Sequence, residues 1–111
     1  MIDTNTIDQI PSIDEGIWRT LDCSTIHVAP QDEYLIREEY RYRDDIFIFK
    51  GFTQEDGYII QVPDDVVLPT MTWLSISLYT LFLYARSRNC WLIKLSRDGT
   101  VFSDLVKYTW L

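Results

Sequence analysis

Twenty consecutive residues without a charge, VVLPTMTWLSISLYTLFLYA at positions 66–85, end directly at Arg86-Ser87-Arg88. A stretch of that kind must leave water, either by crossing a bilayer or by entering a protein core. Pro69 breaks it near its start, and Thr70, Thr72, Ser75, Ser77 and Thr80 make it poor in hydrocarbon. The part able to form a helix, from about Thr72 to Arg88, is too short to span roughly 30 Å of acyl chain. The stretch therefore predicts a buried core helix, with Leu74, Leu78, Leu81 and Ala85 on one stripe. Arg86 and Arg88 complement its C-terminus, and Asn89 suits the cap.

The remaining chain supplies what that helix packs against. Ser24 to Val28 is rich in β-branched residues and predicts a strand. Pro30, with Asp32 and Glu33 in the following turn, predicts an amphipathic helix to about Arg43. Glu33–Arg37 and Glu39–Arg43 are spaced as i,i+4 pairs within it. Ile46–Phe52 and Tyr58–Val62 read as two strands, joined through residues 53–57, which end in Asp-Gly. Trp91–Leu95 reads as another strand, Ser96-Arg97-Asp98-Gly99 as a tight turn with Gly99 at positive φ, and Val101–Trp110 as a last extended strand.

The order strand, helix, strand, strand, helix, strand describes an α+β domain: a small antiparallel sheet of four to five strands with two helices on one face. It matches the ferredoxin-like plan of two split crossover units. At 111 residues this is a single domain over 24–111. Residues 1–23 form an acidic arm or lead-in whose isoleucines at 2, 7, 10 and 13 are placed to dock.

Charge is distributed unevenly. Residues 1–45 hold eleven acids against four arginines, whereas residues 46–111 hold six acids and six bases, so the net −7 lies wholly in the first 45 positions. Such a field repels phosphate and favours basic partners, and the scattered cations predict no direct nucleic-acid binding. The opening MIDTNTIDQI has no basic n-region, so the expectation is a cytoplasmic protein with Cys23 and Cys90 reduced. One histidine and two unclustered cysteines cannot build a zinc site, and neither Asp44-Asp45 nor Asp64-Asp65 has the spacing of a calcium loop. No metal, cofactor or membrane partner is expected, and four glycines include no phosphate loop.

Two pieces together carry a resemblance. The stretch STIHVAPQD (24–32), and the closing arrangement of Ala85, Cys90, Leu95–Gly99 and Tyr108-Thr109-Trp110, resemble a domain-of-unknown-function family of short bacterial proteins. Members of that family often occur on plasmids, prophages and integrative elements. Ser96 stands where the family's turn has its first acid. The resemblance implies a mobile-element origin and brings no known activity or functional residues with it.

The leading expectation is a small acidic, non-enzymatic protein-binding inhibitor directed at a basic nucleic-acid-binding groove of a host defence protein, of anti-CRISPR or anti-restriction type. The helix region supplies the interface: Asp32, Glu38, Glu39, Asp44 and Asp45 as carboxylates in place of phosphates, with Tyr40 as anchor beside Tyr34 and Tyr42. The alternatives are an antitoxin or immunity protein that neutralises a toxin, and a small enzyme using His27 with Asp22, Asp32 or Ser24. A homo-oligomer joined through Phe47, Phe49, Phe52, Trp91 or Trp110 is a further reading. Because alternate strand residues share a face, Cys23 and His27 would lie about 13 Å apart, too far for thiol activation, which favours a structural histidine.

Overall fold

The computed structural model describes residues 13–14, 17–50 and 57–108. The isoleucines of the arm before residue 13, the turn at 53–56, Phe52 and Thr109–Trp110 lie outside them. A two-residue ladder of β1 (Ile13–Asp14) and β2 (Ile17–Trp18) leads into the main sheet. That sheet contains β3 (Thr20–Ser24), β4 (Ile48–Lys50), β5 (Tyr58–Gln61) and β6 (Leu92–Ser96), in the spatial order β3-β6-β5-β4. Helix α1 (Pro30–Glu38) follows β3, and α2 (Ile76–Ser87) separates β5 from β6.

The class is the one the sequence predicts, α+β with four main strands and two helices, but the sheet is mixed. β6 pairs antiparallel with β5 and parallel with β3, with Leu21 opposite Ile93 and Cys23 opposite Leu95. Two split crossover units would make each helix join parallel strands. Here α1 joins the parallel strands β3 and β4, while α2 joins β5 to its antiparallel neighbour β6. The parallel pair escapes sequence reading because alternation reports which face a residue occupies, not which strand lies beside it. The sheet also takes in residues 20–23, assigned above to the arm. Exposed Thr20 and Asp22 alternate there with buried Leu21 and Cys23.

That alternation runs across the whole sheet. Leu21, Ile93, Ile60 and Ile48 form one register row, and Cys23, Leu95 and Tyr58 another on the same side. Ile36 of α1 and Leu78, Leu81, Phe82 and Ala85 of α2 share the core with them, so both helices cover this face. The opposite row, Asp22–Lys94–Ile59–Phe49, is exposed.

The helix ends follow local chemistry. Ser75 caps α2 by accepting the Leu78 N–H. At the other end the Cys90 N–H reaches the Ala85 carbonyl at 2.8 Å and the Asn89 N–H reaches that of Arg86 at 3.0 Å. With Asn89 at φ 57°, this is a Schellman cap, as Asn89 predicted. The helix begins at Ile76 rather than near Thr72, because residues 68–70 form a separate 3₁₀ turn around Pro69. No helix among the described residues is long and apolar enough to cross a membrane.

Three local expectations are corrected. Thr25–His27 is a 3₁₀ turn rather than a continuing strand, because the Ser24 hydroxyl caps it by accepting the Ile26 N–H. Helix α1 ends at Glu38 and a 3₁₀ turn, Tyr40–Tyr42, follows. Glu39 (φ −128°, ψ −54°) is thus not helical, and Arg43 pairs with Asp45 instead. Residues 101–108 form no strand. They run irregularly over the core edge, with Phe102 and Leu105 packed inward and Val101 and Val106 exposed.

Ser96–Gly99 is a turn, closed by the Gly99 N–H to the Ser96 carbonyl at 3.2 Å. The reason for its glycine is not positive φ, since among the described glycines only Gly57 takes that conformation. A Cβ on Gly99 would collide with the main chain of Cys23 and stand 2.6 Å from the Ser24 nitrogen. Close approach lets the Ser24 N–H reach the Thr100 carbonyl at 2.9 Å. Gly99→Ala is therefore expected to destabilise by about 1–3 kcal/mol, the range of overpacking. Gly99→Asn should be no better tolerated, although asparagine accepts positive φ. Asp98→Ala should stay within about 0.5 kcal/mol. Urea unfolding of the three variants checks this, and a benign Gly99→Asn would refute the close-approach account.

Candidate functional site

His27 is buried, 3% exposed, and both ring nitrogens are occupied by main chain. Nδ1 lies 2.8 Å from the Val106 carbonyl oxygen, which can only accept, so Nδ1 carries the hydrogen. Nε2 lies 2.8 Å from the Phe102 nitrogen, which can only donate, so Nε2 accepts. The imidazole thus bridges two backbone groups four residues apart and ties down the segment after the Gly99 turn. The Phe102 ring lies 5.9 Å from the imidazole and 5.3 Å from Tyr84. Asp104 accepts from the Tyr84 hydroxyl at 2.8 Å and from Arg88 at 3.1 Å. With both nitrogens committed, the ring has none left for a substrate.

The two cysteines are closed off from solvent. Both are free thiols and buried. Burial, with the neighbouring Asp22 carboxylate adding to it, pushes the Cys23 thiol up to about 12, so it stays protonated at neutral pH. Among the described residues no cluster of histidine, cysteine or acids is arranged to hold a metal.

The six residues predicted for partner binding divide. Asp32 is 3% exposed, and its carboxylate accepts from the Ser77 hydroxyl. Ser77 Oγ in turn lies 3.4 Å from the Ala29 N–H, so this link joins the starts of α1 and α2. Tyr40 is 6% exposed, edge-on to Trp73 at 4.9 Å, and Arg43 lies 3.7 Å above the same indole. Asp32 and Tyr40 are therefore core residues. The charge of Asp32 in a first helical turn gave no sign of burial, since an acid there suits a helix N-terminus in either setting.

Glu38, Glu39, Asp44 and Asp45 are exposed. Arg37 pairs with Glu33 at 2.8 Å and Glu38 at 2.9 Å. Arg43 binds both Asp45 oxygens at 2.8 Å, which holds that carboxyl below its usual range. Glu39 and Asp44 have no ion pair among the described residues.

The larger accessible feature is the outer face of the sheet. Phe47 is 59% exposed, Phe49 62% and Ile59 41%. They share this face because Ile46 and Ile48 alternate inward. At one end of the face lies a cavity of about 230 Å³, walled by Trp18, Phe47, Val67 and Trp91 with Asp45 and Asp64. The two indoles meet edge to face at 6.5 Å and 63°. Arg86 stacks 3.8 Å over Trp91 and pairs with Asp65 at 2.9 Å, outside the cavity wall. Sequence reading named Phe47, Phe49 and Trp91 as candidate interface residues but had no signal for the convergence of Trp18 with Trp91. A second hollow collects Ser24, Thr25, Arg97, Lys107 and Tyr108 beside the C-terminal segment.

His27→Ala is expected to cost about 2–4 kcal/mol, combining two orphaned backbone groups with a small void. Amide exchange should accelerate at Phe102 and its neighbours while α2 keeps its protection. An unchanged melting curve would refute the clip.

No curated protein and no solved structure shows significant similarity to this chain. A family match begins at the first residue of β3 and runs through the C-terminal segment. Over residues 20–110 the chain matches the C-terminal domain of the family of unknown function DUF5983, and it belongs to that family.

Proposed function

We propose that this domain is a non-catalytic protein-binding module that engages a basic partner through the outer sheet face and the acidic turn beside it. The observation that carries this reading is the exposed patch of Phe47 and Phe49, close after Asp44 and Asp45 in the chain, with Ile59 opposite Phe49 on β5. Contiguous exposed aromatic surface on a small domain is costly in water and characteristic of interaction sites. Glu38, Glu39, Asp44 and Asp45 supply long-range attraction to a cationic surface, and the aromatics supply the buried contact. The occupied nitrogens of His27 and the protonated, buried Cys23 speak against a reaction centre built on either residue.

The partner we favour is the basic nucleic-acid-binding groove of a host defence protein, with the module acting as its inhibitor and encoded on a mobile element. The net charge of −7 and the resemblance drawn above support that choice.

Tagged protein in lysate of its native host tests the reading. Wild type should retain a specific partner chain, and Phe47→Ser/Phe49→Ser should lose it with an unchanged melting temperature. Reversing Glu38, Glu39, Asp44 and Asp45 to lysine should slow association, and added salt should weaken wild-type binding as the screening length falls below ~8 Å. Recovery of the same chain by the double serine variant would reject the face. Affinity indifferent to both salt and reversal would reject the acidic contribution.

A further inference from the structure

The cavity at the end of the outer face has a chemistry of its own. Its walls combine the indoles of Trp18 and Trp91 and the ring of Phe47 with two carboxylates, Asp45 and Asp64. Aromatic faces carry negative potential and attract cations, most strongly at indole. The carboxylates differ in what they have left to offer. Both oxygens of Asp45 are taken by Arg43. Asp64 uses only Oδ1, which accepts the Val66 and Val67 N–H groups at 2.9 and 2.8 Å. Its Oδ2 has no donor among the described residues, and no cation pairs with it there.

The chain already builds this kind of contact around its own arginines. Arg86 lies over Trp91, clamped by Asp65, and Arg43 lies over Trp73, clamped by Asp45. Each site joins an indole face to a carboxylate about one planar guanidinium. The cavity brings the same residue types together, two indoles with Asp45 and Asp64, around a space of about 230 Å³.

We propose that the cavity between Trp18, Trp91 and Phe47 is a receptor for a cationic side chain of a protein partner, arginine ahead of lysine, with Asp64 as its counter-ion. The proposal rests on the protein-binding reading and gives the partner's surface a specific element. Arginine is favoured because its guanidinium is planar, weakly hydrated and able to stack on an indole while binding carboxylate in its plane. Lysine presents a compact, strongly hydrated charge and gains less from the same walls. A neutral side chain of arginine's shape would keep the packing and lose both the cation–π and the ionic contributions.

The test uses the intact protein and small capped peptides. Ala-Arg-Ala, Ala-Lys-Ala and Ala-citrulline-Ala amides are titrated into ¹⁵N-labelled protein while the indole N–H signals of Trp18 and Trp91 are followed. The arginine peptide should shift both signals saturably. Citrulline should bind at least roughly five-fold more weakly, the scale of one partly desolvated cation–π contact, and lysine should fall between. Asp64→Asn keeps an oxygen for the Val66 and Val67 N–H groups, so the turn survives while the charge goes. It should weaken arginine binding by a similar factor, and Trp18→Leu should do the same.

Citrulline binding within two-fold of arginine would overturn the proposal, as would indole signals that stay fixed while shifts scatter over the acidic surface. An unaffected Asp64→Asn variant would also overturn it. If the cavity fails in these ways while Phe47→Ser/Phe49→Ser still abolishes partner capture, the protein-binding reading stands and only the cationic receptor is rejected.

Discussion

Everything in this domain hangs on the placement of β6 between β3 and β5. Ile93 and Leu95 are fully buried, and they stand in register with Leu21 and Cys23 on one side and Ile60 and Tyr58 on the other. Without β6 the β4–β5 hairpin and the β3 strand share no hydrogen bond of the sheet. β3 precedes β6 by most of the domain and β5 precedes it by α2 and the loops around it, so neither pairing is local. Closing such long loops costs entropy before contacts repay it. The core face is therefore completed by one of the last elements in the chain.

The Gly99 turn and His27 extend the same logic to the C-terminal segment. Once β6 is in place, the chain must reverse beside β3 at a separation that admits no side chain at Gly99. It then passes His27, which engages the Phe102 amide and the Val106 carbonyl. The Tyr108 N–H finishes the run on the Ile26 carbonyl at 2.8 Å. An irregular segment leaves backbone groups that a strand would satisfy by pairing, and a buried imidazole meets two of them.

Much of this architecture is legible in the sequence wherever the signal is local. The cap at Asn89, the core helix through Leu78, Leu81 and Ala85, the pairing of β4 with β5 and the turn at Ser96–Gly99 all follow from residues close together in the chain. What depends on distant partners is not legible. The parallel pairing of β3 with β6 is one case. Asp32 is another: an acid early in a helix reads as solvated, and only the arrival of Ser77 from α2 makes it internal. Tyr40, four residues after buried Ile36, stays on the inward face past the end of α1, and only the fold brings Trp73 against it. The candidate site divides along the same line. Phe47 and Phe49 could be placed on a strand face from alternation, but the meeting of Trp18 with Trp91 requires the whole sheet.

The His27 clip also has an evolutionary reach. It reads two peptide groups, and neither hydrogen bond depends on which side chains residues 102 and 106 carry. Val106 is 62% exposed and Val101 53%. The outward positions of this segment can therefore drift in size and polarity while the strap stays fastened. Substitutions there would change the chemistry shown along this edge, next to Arg97 and Lys107, and leave both hydrogen bonds of His27 in place.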